Sequence, residues 1–321
     1  MHFQNLSLAD RINLLERSLR QTPTVELVEE GIRLFAKLEH NNPFGSLKDR
    51  PAFWLLKTAV ERGLVTEKTT LVESSSGNFA NAMASYCRLL GLKFVPVIDP
   101  NIVEANESYL RRMCETVVKV DERDDTGGFL KTRLNKVQEL RNTLGDVYWP
   151  NQYGNPLVAE SHYRFTGEEI CRAFKQVDYV FVGVSTGGTI AGVSRRVKEQ
   201  FPSAKVIAVD AEGSVIFGGP PKKRYIPGIG ASVRAELVDL ALIDEVVHVP
   251  EIETARACQE LLYRHGLLLG GSSGSCYAAV KRYLPRMRAL SPPTVIFTCA
   301  DKGGAYLDTV YNARWCSRLE Q

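Results

Sequence analysis

The sequence predicts an α/β fold with parallel-rich sheets, and three observations carry that expectation. Four short runs, 93–98, 178–184, 205–210 and 294–298, place apolar residues at consecutive positions, as in strands buried on both faces. Segments of helical periodicity alternate with them. Two strands, 70–73 and 178–184, empty through serine- and glycine-rich turns into helices. At 321 residues, 44% hydrophobic and 24% charged, the chain is long enough for two domains with real cores.

In chain order, 6–19 reads as an N-terminal helix capped by Asn5 or Ser7, with Leu8, Ile12, Leu15 and Leu19 as its apolar stripe. Gln21-Thr22-Pro23-Thr24 and two short strands follow, the second over 32–39. It delivers the chain to Asn42-Pro43-Phe44-Gly45-Ser46-Leu47-Lys48-Asp49-Arg50. Pro43 cannot be helical there, Gly45 is free to take positive φ, and Asp49 with Pro51 reads as an N-cap and an early helical position. The helix runs through Arg62, with Phe53, Leu56 and Val60 at helical spacing and Gly63 as its stop. Lys48 therefore sits at a loop-to-helix junction; taken alone, a lysine is ordinarily a solvated surface charge.

After strand 70–73, Ser74-Ser75-Ser76-Gly77-Asn78 opens a helix bearing Phe79, Met83, Tyr86 and Leu90 on one face. Such a helix N-terminus can hold an anion, because unpaired N–H groups and the positive dipole end point outward; the plain alternative is a capped Ser/Gly loop. A buried strand 93–98, a helix 105–113, a polar connection 121–128 and a helix 129–140 with Leu130, Leu134 and Val137 inward come next. Arg133 on that helix is either solvated or set to hold an anionic group bidentately. A crossover, Tyr148 to Pro156, follows. The expected domains are 37–147, smaller and mobile, and a larger one made of 1–36 with 148–321.

Strand 178–184 leads into Ser185-Thr186-Gly187-Gly188-Thr189 and a helix from about Ile190, a phosphate cradle of backbone N–H groups. A nucleotide P-loop would need a lysine where Thr189 stands, and a dinucleotide fingerprint would need G-x-G-x-x-G. Segment 213–232, rich in Gly and Pro, reads as a mobile cleft loop. Leu268-Leu269-Gly270-Gly271-Ser272-Ser273-Gly274-Ser275 leads into a helix, and 294–298 is a last strand.

Net charge of +3 is too small and dispersed for nucleic acid, and Lys222-Lys223-Arg224 reads as a solvated loop. No apolar run reaches spanning length and no signal-peptide pattern is present, so a cytoplasmic, non-membrane protein is expected. Seven scattered cysteines without C-x-x-C, and histidines without ligand spacing, suggest neither disulfides nor a metal site.

The Lys48 nonapeptide, the 74–78 loop, the Asn151-Gln152-Tyr153 segment and the 185–189 loop, in this order, resemble the cysteine synthase and cystathionine β-synthase family, the fold type II pyridoxal-phosphate enzymes. The resemblance covers nearly the whole chain. It implies two open α/β domains with pyridoxal 5′-phosphate in the cleft between them, a homodimer, and β-elimination or β-replacement on small amino-acid substrates. By it Lys48 forms the Schiff base, and Ser75, Ser76 and Gln152 hold the substrate carboxylate. Asn78 bonds the ring oxygen, Ser185, Thr186, Gly187, Gly188 and Thr189 form the cofactor's phosphate loop, and Ser272, or else Ser273, bonds the pyridine nitrogen. A neutral hydroxyl there moderates the electron sink and favours β-elimination over transamination.

Within the family, the stretches Asp210 to Gly218, Pro227 to Ser232, Gly128 to Arg133 with Lys136 to Leu140, and Tyr306 to Tyr311 are similar to the N-(2-amino-2-carboxyethyl)-L-glutamate synthases. Those use O-phospho-L-serine and L-glutamate to make a precursor of 2,3-diaminopropionate for siderophores and peptide antibiotics. That likeness makes Arg133, Tyr153 and Ser185 candidate contacts to the substrates. A sulfhydrylase acting on O-acetylserine or O-phosphoserine is the alternative.

Overall fold

The computed structural model describes residues 6–17, 19–287 and 291–319; the expected cap at Asn5 lies outside them. The chain forms two compact units, Met1–Arg20 with Asn42–Val158, and Gln21–Asn41 with Ala159–Gln321. The path begins with helix α1 (Leu8–Glu16), builds β1 (Thr24–Leu27) and β2 (Arg33–Leu38) of the second unit, then enters the body of the first through α2 (Asp49–Glu61).

The first unit continues with β3 (Thr70–Ser74), α3 (Asn78–Leu90), β4 (Lys93–Ile98), α4 (Glu104–Met113), β5 (Val118–Lys119), α5 (Leu130–Thr143) and β6 (Val147–Tyr148). Its four strands lie in the order β5-β4-β3-β6, all parallel, with Thr70 opposite both Lys93 and Val147. Val72, Val95, Val97, Val120, Phe129 and Val137 form the core beneath α5.

The unit's limits differ from those read in the sequence. Residues 6–17 belong here because Ile12 is buried and the Arg11 guanidinium donates to the Leu90 carbonyl at 2.6 Å and pairs with Glu67. Residues 148–158 belong here, where β6 extends the β3 edge, and 37–41 belong to the other unit. Ser7 caps α1 as expected, accepting the Asp10 N–H at 3.2 Å.

Helix α6 (Leu157–His162) spans the boundary, and the second unit adds a π-turn over Tyr163–Gly167, α7 (Glu168–Ala173), β7 (Tyr179–Gly183), α8 (Gly188–Gln200), β8 (Lys205–Ala211), β9 (Glu245–Val249), α9 (Glu251–His265), α10 (Gly271–Met287), β10 (Thr294–Cys299) and the short α11 (Ala313–Cys316). Its sheet runs β1-β2-β10-β7-β8-β9, parallel except for β1 against β2. Consecutive residues feed opposite cores, which explains the continuous apolar runs. Phe181, Ile207, Val209 and Phe297 pack with Tyr277, Val280 and Leu261 of α9 and α10. Val180, Val182, Val206, Ala208 and Ile296 pack with Ile170 and with Ile190, Val193 and Val197 of α7 and α8.

Segment 213–232 contains no helix or strand, yet it is tied down. Gly230 N–H donates to Val184 O at 2.8 Å, Val215 N–H to Ala231 O at 3.0 Å, and Ile216, Ile226 and Ile229 are buried. Among the described residues no helix is long and apolar enough to cross a membrane, and no group of His, Cys, Asp and Glu could hold a metal ion.

Candidate active site

Lys48 is itself the residue that opens α2, in helical conformation, and Asp49 is already the first helical residue rather than the cap. The buried Asp49 carboxylate turns back instead, accepting the Phe44 N–H at 2.5 Å and the Ser46 hydroxyl at 3.4 Å, while Ser46 Oγ accepts the Lys48 N–H at 3.2 Å. These contacts close the loop 42–48 onto the first turn, with Gly45 at φ +93°. Lys48 as a whole is half-buried, and its amine lies in a desolvated setting. Burial draws its pKa down from the usual 10.5 to about 8, which puts an appreciable share of free amine at neutral pH.

In the same unit, the turn between β3 and α3 brings together most of the residues singled out there. Ser75 Oγ accepts the Ala80 N–H at 3.2 Å, capping α3, and keeps its proton to donate. Ser76 Oγ donates to Asp99 Oδ2 at 3.0 Å and accepts from Asp99 N–H at 3.2 Å and Arg133 Nη1 at 3.0 Å, so its one proton and two lone pairs are all engaged. Arg133 is therefore neither solvated nor an unbalanced charge: its Nε lies 3.2 Å from Asp99 Oδ2, both side chains nearly buried. It also hydrogen-bonds Tyr153, whose phenol burial holds above its ordinary pKa despite the guanidinium. Gln152 Nε2 donates to the Ser74 carbonyl at 2.9 Å and retains one N–H. Asn78, half-buried, begins α3.

In the second unit, Gly187 precedes α8 at φ +85°, a left-handed conformation. A Cβ there would stand 2.6 Å from the Val238 nitrogen, so both conformation and space require glycine. No side chain caps α8, which leaves the N–H groups of its first turn pointing outward as an anion cradle. Thr186 and Thr189 are buried beside it. Ser185 Oγ donates to the Gly230 carbonyl at 3.1 Å and can serve a ligand only as an acceptor. Ser272 and Ser273 do not lie in a loop ahead of a helix, because α10 starts at Gly271 and both stand in its first turn. Of the two candidates there, Ser273 Oγ accepts the Ala300 N–H at 3.1 Å, whereas the Ser272 hydroxyl has no hydrogen bond among the described residues.

Two residues here escaped the sequence reading. His162, fully buried, lies with Nε2 3.3 Å from Thr189 Oγ1 and Nδ1 3.1 Å from Thr166 Oγ1. It reaches α8 because Gly192 lets that helix approach closely: a Cβ at Gly192 would be 2.2 Å from Ala159 O. Glu73, the penultimate residue of β3, is fully buried and accepts N–H groups from Ser74, Trp149 and Gln152. No periodicity marks either one.

A family model described as pyridoxal-phosphate dependent enzyme matches residues 15–301. Among solved structures, an O-acetylserine-dependent cystathionine β-synthase from Helicobacter pylori is 26% identical, with a TM-score of 0.84 over 94% of this chain and 97% of that one. A hydrogen sulfide-producing enzyme with an α-aminoacrylate intermediate is 29% identical, with a TM-score of 0.85 over 94% and 91% of the two chains. A hydrogen sulfide-producing enzyme from Fusobacterium nucleatum is 26% identical, with a TM-score of 0.83 over 94% and 99%.

Proposed function

The chain belongs to the pyridoxal-phosphate dependent enzyme family, and from that premise we propose that it carries out β-replacement on O-phospho-L-serine with L-glutamate as nucleophile. The C–O bond to phosphate breaks and a C–N bond to the glutamate amine forms, giving N-(2-amino-2-carboxyethyl)-L-glutamate and inorganic phosphate. The residues present fit the cofactor: an enclosed amine at Lys48, an uncapped helix cradle whose Gly187 tolerates no side chain, and an uncommitted hydroxyl at Ser272.

Pyridoxal phosphate, when bound, supplies a conjugated ring that acidifies the hydrogen on the substrate α-carbon. Lys48 takes that proton as a neutral amine, a role matched by a pKa of about 8, and returns a proton to the α-carbon after the nucleophile has added. The first-turn N–H groups of α8, with Thr186 and Thr189, would hold the cofactor phosphate, and Ser272 would meet the pyridine nitrogen and Asn78 the ring oxygen. Ser75 Oγ, the remaining Gln152 amide proton and main-chain N–H groups of residues 76–78 hold the substrate carboxylate, the Ser75 N–H being spent on Val97 O. Ser76 contributes there through its backbone, since its hydroxyl is spent on Asp99 and Arg133.

The observation that carries the phosphoserine and glutamate reading is the buried Arg133 cluster. A guanidinium and a phenol, braced by Asp99 and Ser76, add hydrogen-bond donors beyond those the carboxylate turn needs, suited to a second anionic group on a substrate. The name of one solved relative, an O-acetylserine-dependent cystathionine β-synthase, favours the other reading, with O-acetylserine as donor. The decisive experiment gives the holoenzyme O-phospho-L-serine with glutamate or with sulfide and follows phosphate release and product mass. A glutamate adduct formed in preference to cysteine supports the proposal; cysteine without the adduct refutes it. A cytoplasmic homodimer completes the reading, its assembly testable by sedimentation equilibrium.

A further inference from the structure

Glu73 is a fully buried carboxylate that meets N–H donors from three places. Its Oε1 accepts the Ser74 N–H at 2.8 Å and the Trp149 indole N–H at 3.0 Å, and its Oε2 accepts the Gln152 N–H at 3.1 Å. In the β3–β4 register Glu73 stands opposite Pro96, which has no N–H of its own. Gln152 closes the ring from the other side, its side-chain amide donating to the Ser74 carbonyl at 2.9 Å. Asn151, just before it, is the one non-glycine residue with positive φ among the described residues, at +54°. Such a conformation persists where neighbouring contacts over-determine it.

We propose that Glu73 is a positioning residue which, as a carboxylate, fixes the substrate-carboxylate turn by locking Ser74 and Gln152 to each other. The proposal rests on the reading that this turn and Gln152 hold the substrate carboxylate. The chemistry of the donors selects the residue. Three N–H groups need an acceptor without protons, and a carboxylate is the only side chain offering two oxygens of that kind. A glutamine would turn an NH2 toward at least one of them and leave a buried donor unpaired. Glu73 touches no reacting atom in this scheme; it acts through Ser74 and Gln152.

The lock is sensitive to protonation. Burial raises the Glu73 pKa from 4.5 to about 7, against the opposing pull of the Trp149, Gln152 and Ser74 hydrogen bonds and of the Arg133 charge from α5. Tyr148 and Tyr153 also face it, both phenols held neutral by burial. Below about pH 7 the carboxyl gains a proton, loses one acceptor site, and the grip on Gln152 loosens.

Three readouts on the holoenzyme test this. In wild type, the Trp149 indole N–H resonance shifts with a midpoint near pH 7, and Glu73→Gln abolishes that titration while the other two indoles are unchanged. The amides of Ser74 and Gln152 exchange faster in Glu73→Gln. The KM for whichever of O-phosphoserine and O-acetylserine the enzyme turns over rises about tenfold with kcat within about twofold, and Glu73→Asp restores part of the loss. A flat Trp149 titration in wild type overturns the pH sensitivity, and Ser74 and Gln152 amides that exchange no faster in Glu73→Gln overturn the lock itself. A fall in kcat with KM unchanged overturns the positioning role in favour of direct proton transfer. Because both donors carry the same α-carboxylate, failure of the glutamate reading leaves this result interpretable.

Discussion

The Thr189 hydroxyl lies 3.3 Å from Nε2 of the buried His162, so a residue of the proposed phosphate cradle is held from behind by an imidazole that is itself held by Thr166. Replacing the ring leaves Thr189 free to rotate. His162→Phe should weaken cofactor binding about three- to tenfold, on the scale of one neutral hydrogen bond. Titration of apo-protein with pyridoxal phosphate, read by absorbance, measures it; unaltered affinity would show that the threonine is held by its own packing.

Gly187→Ala should be far more severe. A left-handed alanine costs about 1–2 kcal/mol before any collision, and its Cβ would meet the Val238 backbone nitrogen at 2.6 Å. We expect a loss of about 2–4 kcal/mol in apo-protein stability, together with the loss of cofactor binding. Urea unfolding of both proteins checks the first, and the same absorbance titration checks the second.

Lys48 makes a pH prediction whose sign follows from burial. Its folded pKa of about 8 lies below the usual 10.5, so the unfolded chain binds more protons between those values and stability rises with pH across that window. Below pH 8 the amine is protonated in both states and its burial penalty is present in full, about 3 kcal/mol. Relative to Lys48→Met, apo wild type should therefore gain up to about 3 kcal/mol between pH 8 and 10.5. Parallel denaturation curves for the two proteins would sink the idea.

Arg133→Lys tests the assignment of the donor cluster. An ammonium cannot reach Ser76, Asp99 and Tyr153 at once as a planar guanidinium does. If the cluster receives the phosphate of O-phosphoserine, the ratio of kcat/KM for that donor over O-acetylserine should drop about tenfold, the worth of one charge-assisted hydrogen bond. An unchanged ratio would assign Arg133 to bracing Ser76 alone.

These positions were not equally legible from sequence. The central strands showed themselves because both faces of each are covered, as at Val180, Phe181 and Val182. The two serine- and glycine-rich turns stood out because helix starts demand particular residues, whereas Lys48 was singled out only by the resemblance of its whole nonapeptide, and the cap expected at Asp49 falls on Lys48 itself. Edge strand β9 and helix α9 went unread: β9 is only partly buried, and α9 is studded with charges from Glu251 to His265. Strands β5 and β6 are two residues each, too short for any period. Glu73 was hidden for a different reason. Its setting comes from Trp149 and Gln152, distant in the chain, and a carboxylate beside Val72 in a short strand looks like a solvated alternate position. His162 offered no local pattern at all.

Strand β2 pairs along its length with β10, Arg33 opposite Thr294, so residues near the two ends of the chain are neighbours in one sheet. The ribosome makes β1 and β2 before the whole of 42–158, and the strand that covers the open side of β2 only after it. A nascent chain therefore carries an unpaired apolar edge, Leu34 to Leu38, until β10 has been made. The first unit, whose sheet closes with local βαβ connections, can settle while that edge waits. A chain stopped before β10 should accordingly aggregate through β2 while its 42–158 segment resists protease, and recovering soluble monomer from such a truncation would refute that order of assembly.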